Sequence, residues 1–172
     1  RIQAGILSWG QDMDHQHNPF QCNLGYQVSL SGKGQWSKQT DYIGKESLEK
    51  MKEQLKNGEK PYKLQLVGLE LAGGKPIEDY ANDFWLISNG NGGKPVGYIT
   101  SPWYHPEKGK NIAMGYVPFE GDLNNNGFPI GKFGKKYKVH LPKKYSNKPV
   151  DAVVVPVPFT ESFNPNTREV KK

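Results

Sequence analysis

KPVGYITSPWYHPEKGKNIAMGYVP, residues 94–118, is the stretch whose reading decides the fold. Two runs in it, 96–101 and 112–117, are rich in β-branched and aromatic residues. A segment of Pro, Gly and Lys lies between them and reads as a loop. Val96, Tyr98 and Thr100 alternate with Gly97, Ile99 and Ser101, so both faces of the first run offer side chains for burial. Gly97 and Gly115 fall inside the runs, where glycine marks a bulge or a close approach of two backbones. A hairpin interrupted in this way suits a tightly curved barrel better than a flat sheet.

Outward from the hairpin, the downstream chain repeats the same pattern. Strands are expected at 63–71, 84–88, 136–141 and 152–157 as well, separated by turn signals such as Ala72-Gly73-Gly74 and Asn124-Asn125-Asn126-Gly127. Six short strands at this spacing indicate a small closed or sandwich β unit. Upstream the composition differs. Residues 44–55 carry Leu48, Met51 and Leu55 on one helical face, with lysines and glutamates elsewhere, and Asn57-Gly58 supplies a stop. Residues 23–30 alternate Leu24, Tyr26, Val28 and Leu30, which favours a strand, with a short helix before it as the other reading. Glu59-Lys60-Pro61 reads as a boundary. The expected organisation is therefore 1–58 and 59–172, an α+β chain whose second part is a small closed or sandwich unit of antiparallel strands.

The 172 residues suffice for one domain or one and a part, and a net charge of +6 favours acidic partners. Mean hydropathy is −0.75. No apolar run approaches the roughly 20 residues of a spanning helix. The single cysteine, Cys22, demands no oxidising compartment, so cytoplasm is the default. The chain opens at Arg1 with no signal-peptide pattern and reads as the C-terminal portion of a longer polypeptide.

Phosphate-loop, dinucleotide and nucleophile-elbow motifs are absent, which removes support for kinase, dehydrogenase and hydrolase chemistry. Asp12, Asp14, His15, His17 and Cys22 do not have the spacing of a zinc or calcium site, so no metal is expected. The two aspartates are expected to cap local backbone and the histidines to be solvated. A lysine band (Lys132, Lys135, Lys136, Lys138, Lys143, Lys144 and Lys148), with Tyr137 and Tyr145 in it, superficially resembles a single-strand-binding surface. Lysines that keep sheet edges soluble account for it better, and nucleic acid is the reading from another class.

Several motifs together carry a family resemblance. Ile2-Gln-Ala-Gly-Ile-Leu-Ser-Trp-Gly-Gln-Asp-Met-Asp14 resembles the Leu-Glu-Ala-Gly-x-x-Leu-Tyr-Gly-x-Asp-hydrophobic-Asp run of the glycine-cleavage T-protein (aminomethyltransferase) family. Asn23-Leu-Gly-Tyr26, Tyr42-Ile-Gly-Lys-Glu-Ser-Leu48, Val67-Gly-Leu-Glu-Leu71, the hairpin above and Val157-Pro-Phe159 follow in the family's order. The resemblance implies a tetrahydrofolate-binding enzyme of about twice this length, whose N-terminal half is the missing partner. Residues 1–58 would complete the folate-cradling α/β part, and 59–172 would form the C-terminal barrel.

Gln3 stands where the family carries a pterin-gripping glutamate. A carboxylate accepts two hydrogen bonds, whereas an amide offers one acceptor and one donor. With residues 8–14 and the tail 162–170, this departure is similar to the dimethylsulfoniopropionate demethylases of the family. They move a methyl group from a sulfonium to tetrahydrofolate. The implied substrate- and folate-binding residues are Gln3, Trp9, Tyr26, Trp103, Tyr104 and Phe163. The aromatic ones are the type that can hold a cation. Aminomethyl transfer within the glycine cleavage system is the alternative activity.

Overall fold

The computed structural model describes residues 1–28, 30, 41–90 and 93–159. Its strands are β1 (Leu64–Ala72), β2 (Trp85–Ser88), β3 (Pro95–His105), β4 (Lys110–Pro118), β5 (Lys136–Val139) and β6 (Val150–Val155). They hydrogen-bond in the order β1-β4-β3-β2-β5-β6, and β6 returns to β1, every pair antiparallel. The sheet is a closed six-stranded barrel, and closure leaves no strand edge open to another chain. All six expected strands are present, with ends shifted by a few residues.

Alternation along the strands builds two layers of core. Val67, Leu69 and Leu71 of β1 point inward with Ile87, Ile99, Ala113, Val139 and Val154. Leu66, Ile112, Met114 and Tyr116 face outward yet are buried, because Ile2 and Phe159 cover them. This is why β4 reads as an unbroken apolar run: both of its faces are covered. The tight β3–β4 crossing depends on the two glycines. A Cβ on Gly97 would collide with the Tyr116 carbonyl oxygen, and one on Gly115 would lie 2.6 Å from that of Tyr98. A register shift between Ile99 and Ser101 leaves Thr100 as an extra residue, a β-bulge that turns two hydroxyl side chains toward the N-terminal segment.

Two expectations need correcting. β3 does not stop at residue 101 but runs through Pro102 to His105, paired with β4. The Tyr104 N–H bonds the Ile77 carbonyl, on the side away from β4. By alternation, the Pro102 nitrogen points the same way, beyond the end of short β2, so its missing N–H costs no ladder bond. Of the stretch 23–30, the described residues 23–28 do not form a strand. Asn23 has φ +60°, Gly25–Gln27 is a 3-10 turn, and the backbone curls through Leu24 N–H to Pro19 O and Gln27 N–H to Leu24 O. Gly25 sits between two rings, where a Cβ would meet Phe128 at 2.7 Å and Phe20 at 2.8 Å. Tertiary packing overrides the period-2 pattern there.

The helix α1 (Lys45–Lys56) forms as the spacing predicts. Leu48, Met51 and Leu55 join Phe20, Leu30 and Phe119 in a third cluster. Gly58, at φ +76°, ends it with Glu59 N–H bonded to Gln54 O. No helix among the described residues is long and apolar enough to cross a membrane.

Candidate functional site

Residues 1–28 lie against the outer face of β1, β3 and β4, and one carboxylate fastens them. Asp12 is 1% exposed. Its Oδ1 accepts from Thr100 Oγ1 and Ser101 Oγ, each at 2.6 Å, and its Oδ2 accepts from Arg1 at 2.6 Å and from Ser8 N–H at 2.9 Å. Arg1 also donates to Ser101 Oγ, and the Tyr116 hydroxyl donates to the Asp12 carbonyl at 2.7 Å. The bulge in β3 therefore serves as the socket for the Ser8–Asp12 turn. A second fastening is Gln65, fully buried on β1, whose amide donates to Phe20 O, Gln21 O and Asn23 Oδ1. The expectation that Asp12 caps local backbone describes its bond to Ser8. The three contacts beyond the turn carry no sequence signal, because Thr100 and Ser101 lie nearly ninety residues away.

Between this segment, β1 and the 123–133 loop lies an open hollow of about 980 Å³. Ala4, Gly5, Ile6 and Tyr26 form one side, Phe128 and Ile130 the other, with Asn124, Asn125 and Asn126 adding polar groups. Gly5 has φ +65°, and a Cβ there would lie 2.5 Å from Val157 Cγ1, so the Ala-Gly of the opening motif lets the wall sit directly on the barrel. Asn124 Oδ1 accepts from Asn126 N–H and Phe128 N–H, holding the opposite turn as its Asn-Gly sequence predicts. Cys22 also lines the hollow, but burial pushes its thiol pKa up, which disfavours a nucleophilic thiolate.

The structure distributes the residues expected at the site. Tyr26 lines the hollow and is largely exposed. Gln3 is half-buried and does not line the hollow, although the next two residues, Ala4 and Gly5, do; its carbonyl accepts from Phe159 N–H at 3.0 Å. Trp9 is exposed on the Ser8–Met13 turn, bridged to Met13, and is not among the lining residues. Trp103 and Tyr104 occupy the far half of β3. Trp103 packs on the outer core with its ring tilted against Tyr80, centroids 5.4 Å apart, and neither Trp103 nor Tyr104 lines the hollow. Phe163 and the tail motif lie outside the described residues.

Other side chains depart from the sequence reading. His17 is not solvated: its Nδ1 lies 2.8 Å from Asp14 Oδ1 and its ring 4.8 Å from that of Tyr116. His15 is exposed. The Gln16 N–H and then His17 hold the Asp14 carboxyl below the usual range. Tyr137 and Tyr145 are buried in the barrel core, so neither presents a face for base stacking. Within the lysine band, Lys132 and Lys135 pair with Glu120, Lys138 with Asp151 and Lys144 with Asp79.

Residues 65–160 match the family model described as the glycine cleavage T-protein C-terminal barrel domain. The chain belongs to that family. The chain is similar to aminomethyltransferases of Thermotoga neapolitana (33% identical over 147 residues), Synechocystis (34% over 144) and Thermosynechococcus vestitus (34% over 160). Those alignments cover 84%, 84% and 92% of this chain but 34%, 34% and 35% of the relatives. The chain thus spans about a third of the length of the curated relatives it matches. The crystal structure of glycine cleavage system aminomethyltransferase T from Bartonella henselae superposes with a TM-score of 0.64 at 22% identity. That match covers 95% of this chain and 38% of the other, and it shows the shared fold.

Proposed function

We propose that this chain is the barrel-bearing part of a tetrahydrofolate-dependent one-carbon transferase, with residues 1–58 completing the folate-cradling part. The observation that carries the reading is the hollow walled by Ala4, Gly5 and Tyr26, which belong to two of the motifs that resemble the T-proteins. Its size suits a flat ligand such as a reduced pterin, and its balance of apolar wall and few amides suits one that needs orientation more than charge. The N-terminal half of the same enzyme would supply the opposite wall. The names of the relatives favour aminomethyl transfer, in which the donor is a lipoyl carrier protein and ammonia is released.

One observation favours a second donor. Gln3 replaces a carboxylate, so the pterin would be read by one acceptor and one donor. Methyl transfer from dimethylsulfoniopropionate fits that change. The S–CH₃ bond breaks with its electron pair remaining on sulfur, the methyl carbon bonds to folate N5, and the N5 proton passes to solvent. The products are methylmercaptopropionate and 5-methyltetrahydrofolate. The sulfide leaves neutral and needs no general acid, so the protein's task is chiefly alignment of donor, methyl and acceptor. Tyr26 is the aromatic residue proposed to contact substrate in the hollow; contacts proposed for Trp9, Trp103 and Tyr104 would be made outside it. The contact proposed for Phe163 rests on the resemblance.

The intact enzyme should be assayed with tetrahydrofolate and each donor. Formation of 5-methyltetrahydrofolate from the sulfonium supports the second reading, and methylenetetrahydrofolate with glycine-cleavage partners supports the first. Failure with both, together with no tetrahydrofolate binding, rejects the proposal.

A further inference from the structure

In the closed barrel β2 is three strands from β1 in either direction, so it lies across the barrel from the strand that borders the hollow. Trp85 and Ile87 of β2 point into the core, whereas Leu86 points outward and is 47% exposed. Leu86 is paired with Tyr98 of β3, and Phe84, 53% exposed, sets its ring 5.1 Å from that of Tyr98. Tyr80, 73% exposed, continues the row against Trp103. Three large apolar side chains thus stand open on one outer face, and exposed apolar patches mark interaction sites. The two flanks of this patch carry opposite charge. On the β3 side the loop before β2 holds Glu78 and Asp83. On the β5 side Lys136 faces outward, since Tyr137 and Val139 face in, and Lys143 stands in the turn beyond. All four are exposed, and none forms an ion pair among the described residues, whereas Lys138 and Lys144 are already paired with Asp151 and Asp79.

We propose that this face binds a second copy of the chain in a two-fold dimer, with Tyr80, Phe84 and Leu86 at its centre. A half-turn about an axis along β2, lying in the plane of contact, exchanges the β3 and β5 sides of the facing copy. Glu78 and Asp83 of each copy then meet Lys136 and Lys143 of the other, so the surface is complementary to itself. An axis running across β2 sets acid against acid and lysine against lysine, so the charges choose the orientation. The apolar centre supplies the burial that exposed charges alone do not. The hollow that the rest of the enzyme is proposed to wall lies on the β1 side. The β2 face is turned away from it and stays available to another molecule. The inference holds whether or not the hollow takes a folate.

Sedimentation of the intact protein over a range of concentrations reads the dimer directly. A dissociation constant on the order of 10 µM is expected, rising with salt because the charged flanks are exposed. Leu86→Asp, which places a charge at the apolar centre, should weaken the dimer at least about tenfold. A charge exchange then tests the two-fold arrangement. One variant carries Glu78→Lys with Asp83→Lys, and the other carries Lys136→Glu with Lys143→Glu. Each alone sets like charges face to face and should stay monomeric where the unaltered protein dimerises. Their equimolar mixture should recover a dimer containing one of each, which also shows that both variants are folded. A protein that is monomeric at about 100 µM, a dimer indifferent to Leu86→Asp, or a mixture that fails to reassociate overturns the proposal. All five substituted side chains are exposed, so the barrel core is untouched in every variant.

Discussion

Asp12 shows how one side chain can decide where a whole segment sits. A buried carboxylate with four donors is stable only while all four remain, and removing it takes the acceptor from Ser101 Oγ and Ser8 N–H and leaves Arg1 and Thr100 their weaker bonds to neutral oxygens. Asp12→Ala is therefore expected to cost about 3–5 kcal/mol in chemical denaturation, and Asp12→Asn distinctly less. A loss below about 1 kcal/mol for the alanine variant would mean that the segment is held elsewhere. Glu70 makes a weaker statement with a definite sign. Partial burial raises its pKa, but Lys108 and Lys110, at 2.7 and 3.3 Å, outweigh this and leave it below the ordinary glutamate value. Its contribution is present above the unfolded value of about 4.3 and is lost as pH falls through the lower folded value. Glu70→Gln should flatten that acid limb of the melting temperature while costing under about 1 kcal/mol at neutral pH. At this scale the sequence revealed which residues were unusual, such as Asp12, Gly97 and Gly115. It did not reveal their distant partners, because hydrogen bonds across ninety residues leave no local pattern.

The strands and the helix were legible because each has an internal period. Leu48, Met51 and Leu55 at helical spacing form α1, and Asn57-Gly58 stops it. The β3–β4 hairpin was readable from its glycines, and the two kinds of punctuation within it predict opposite outcomes. Gly97→Ala places a methyl group against the Tyr116 carbonyl oxygen and should cost at least about 2 kcal/mol, since a backbone atom cannot step aside. Pro102→Ala should change stability by less than about 1 kcal/mol, because no ladder bond was missing there. Thermal melts of the pair test the assignment of β3 through His105. Residues 23–30 misled for a physical reason. Their alternation is real, but Asn23 meets β1 through its side chain with its backbone at φ +60°, and the rings of Phe20 and Phe128 close over Gly25 where a ladder would continue.

In the barrel as a whole, β1 and β4 are the most deeply covered elements, with inner core on one face and the N-terminal segment on the other. Amides of Leu66–Leu71 and Asn111–Val117 should therefore be the last to exchange with solvent, and those of α1, which buries only Leu55 fully, among the earlier ones. Hydrogen exchange measured by mass spectrometry would show that order, and a uniformly protected helix would contradict it. By itself the sequence determined the six strands, the curvature imposed by Gly97 and Gly115, the helix and the family motifs, because each depends on spacing within a few residues. Only the tertiary structure decided that β6 closes onto β1, that Asp12 plugs the β3 bulge, and that Tyr26 borders a hollow while Trp103 and Tyr104 do not. Those outcomes depend on which surfaces meet when the apolar faces are buried together, and no local spacing encodes that meeting.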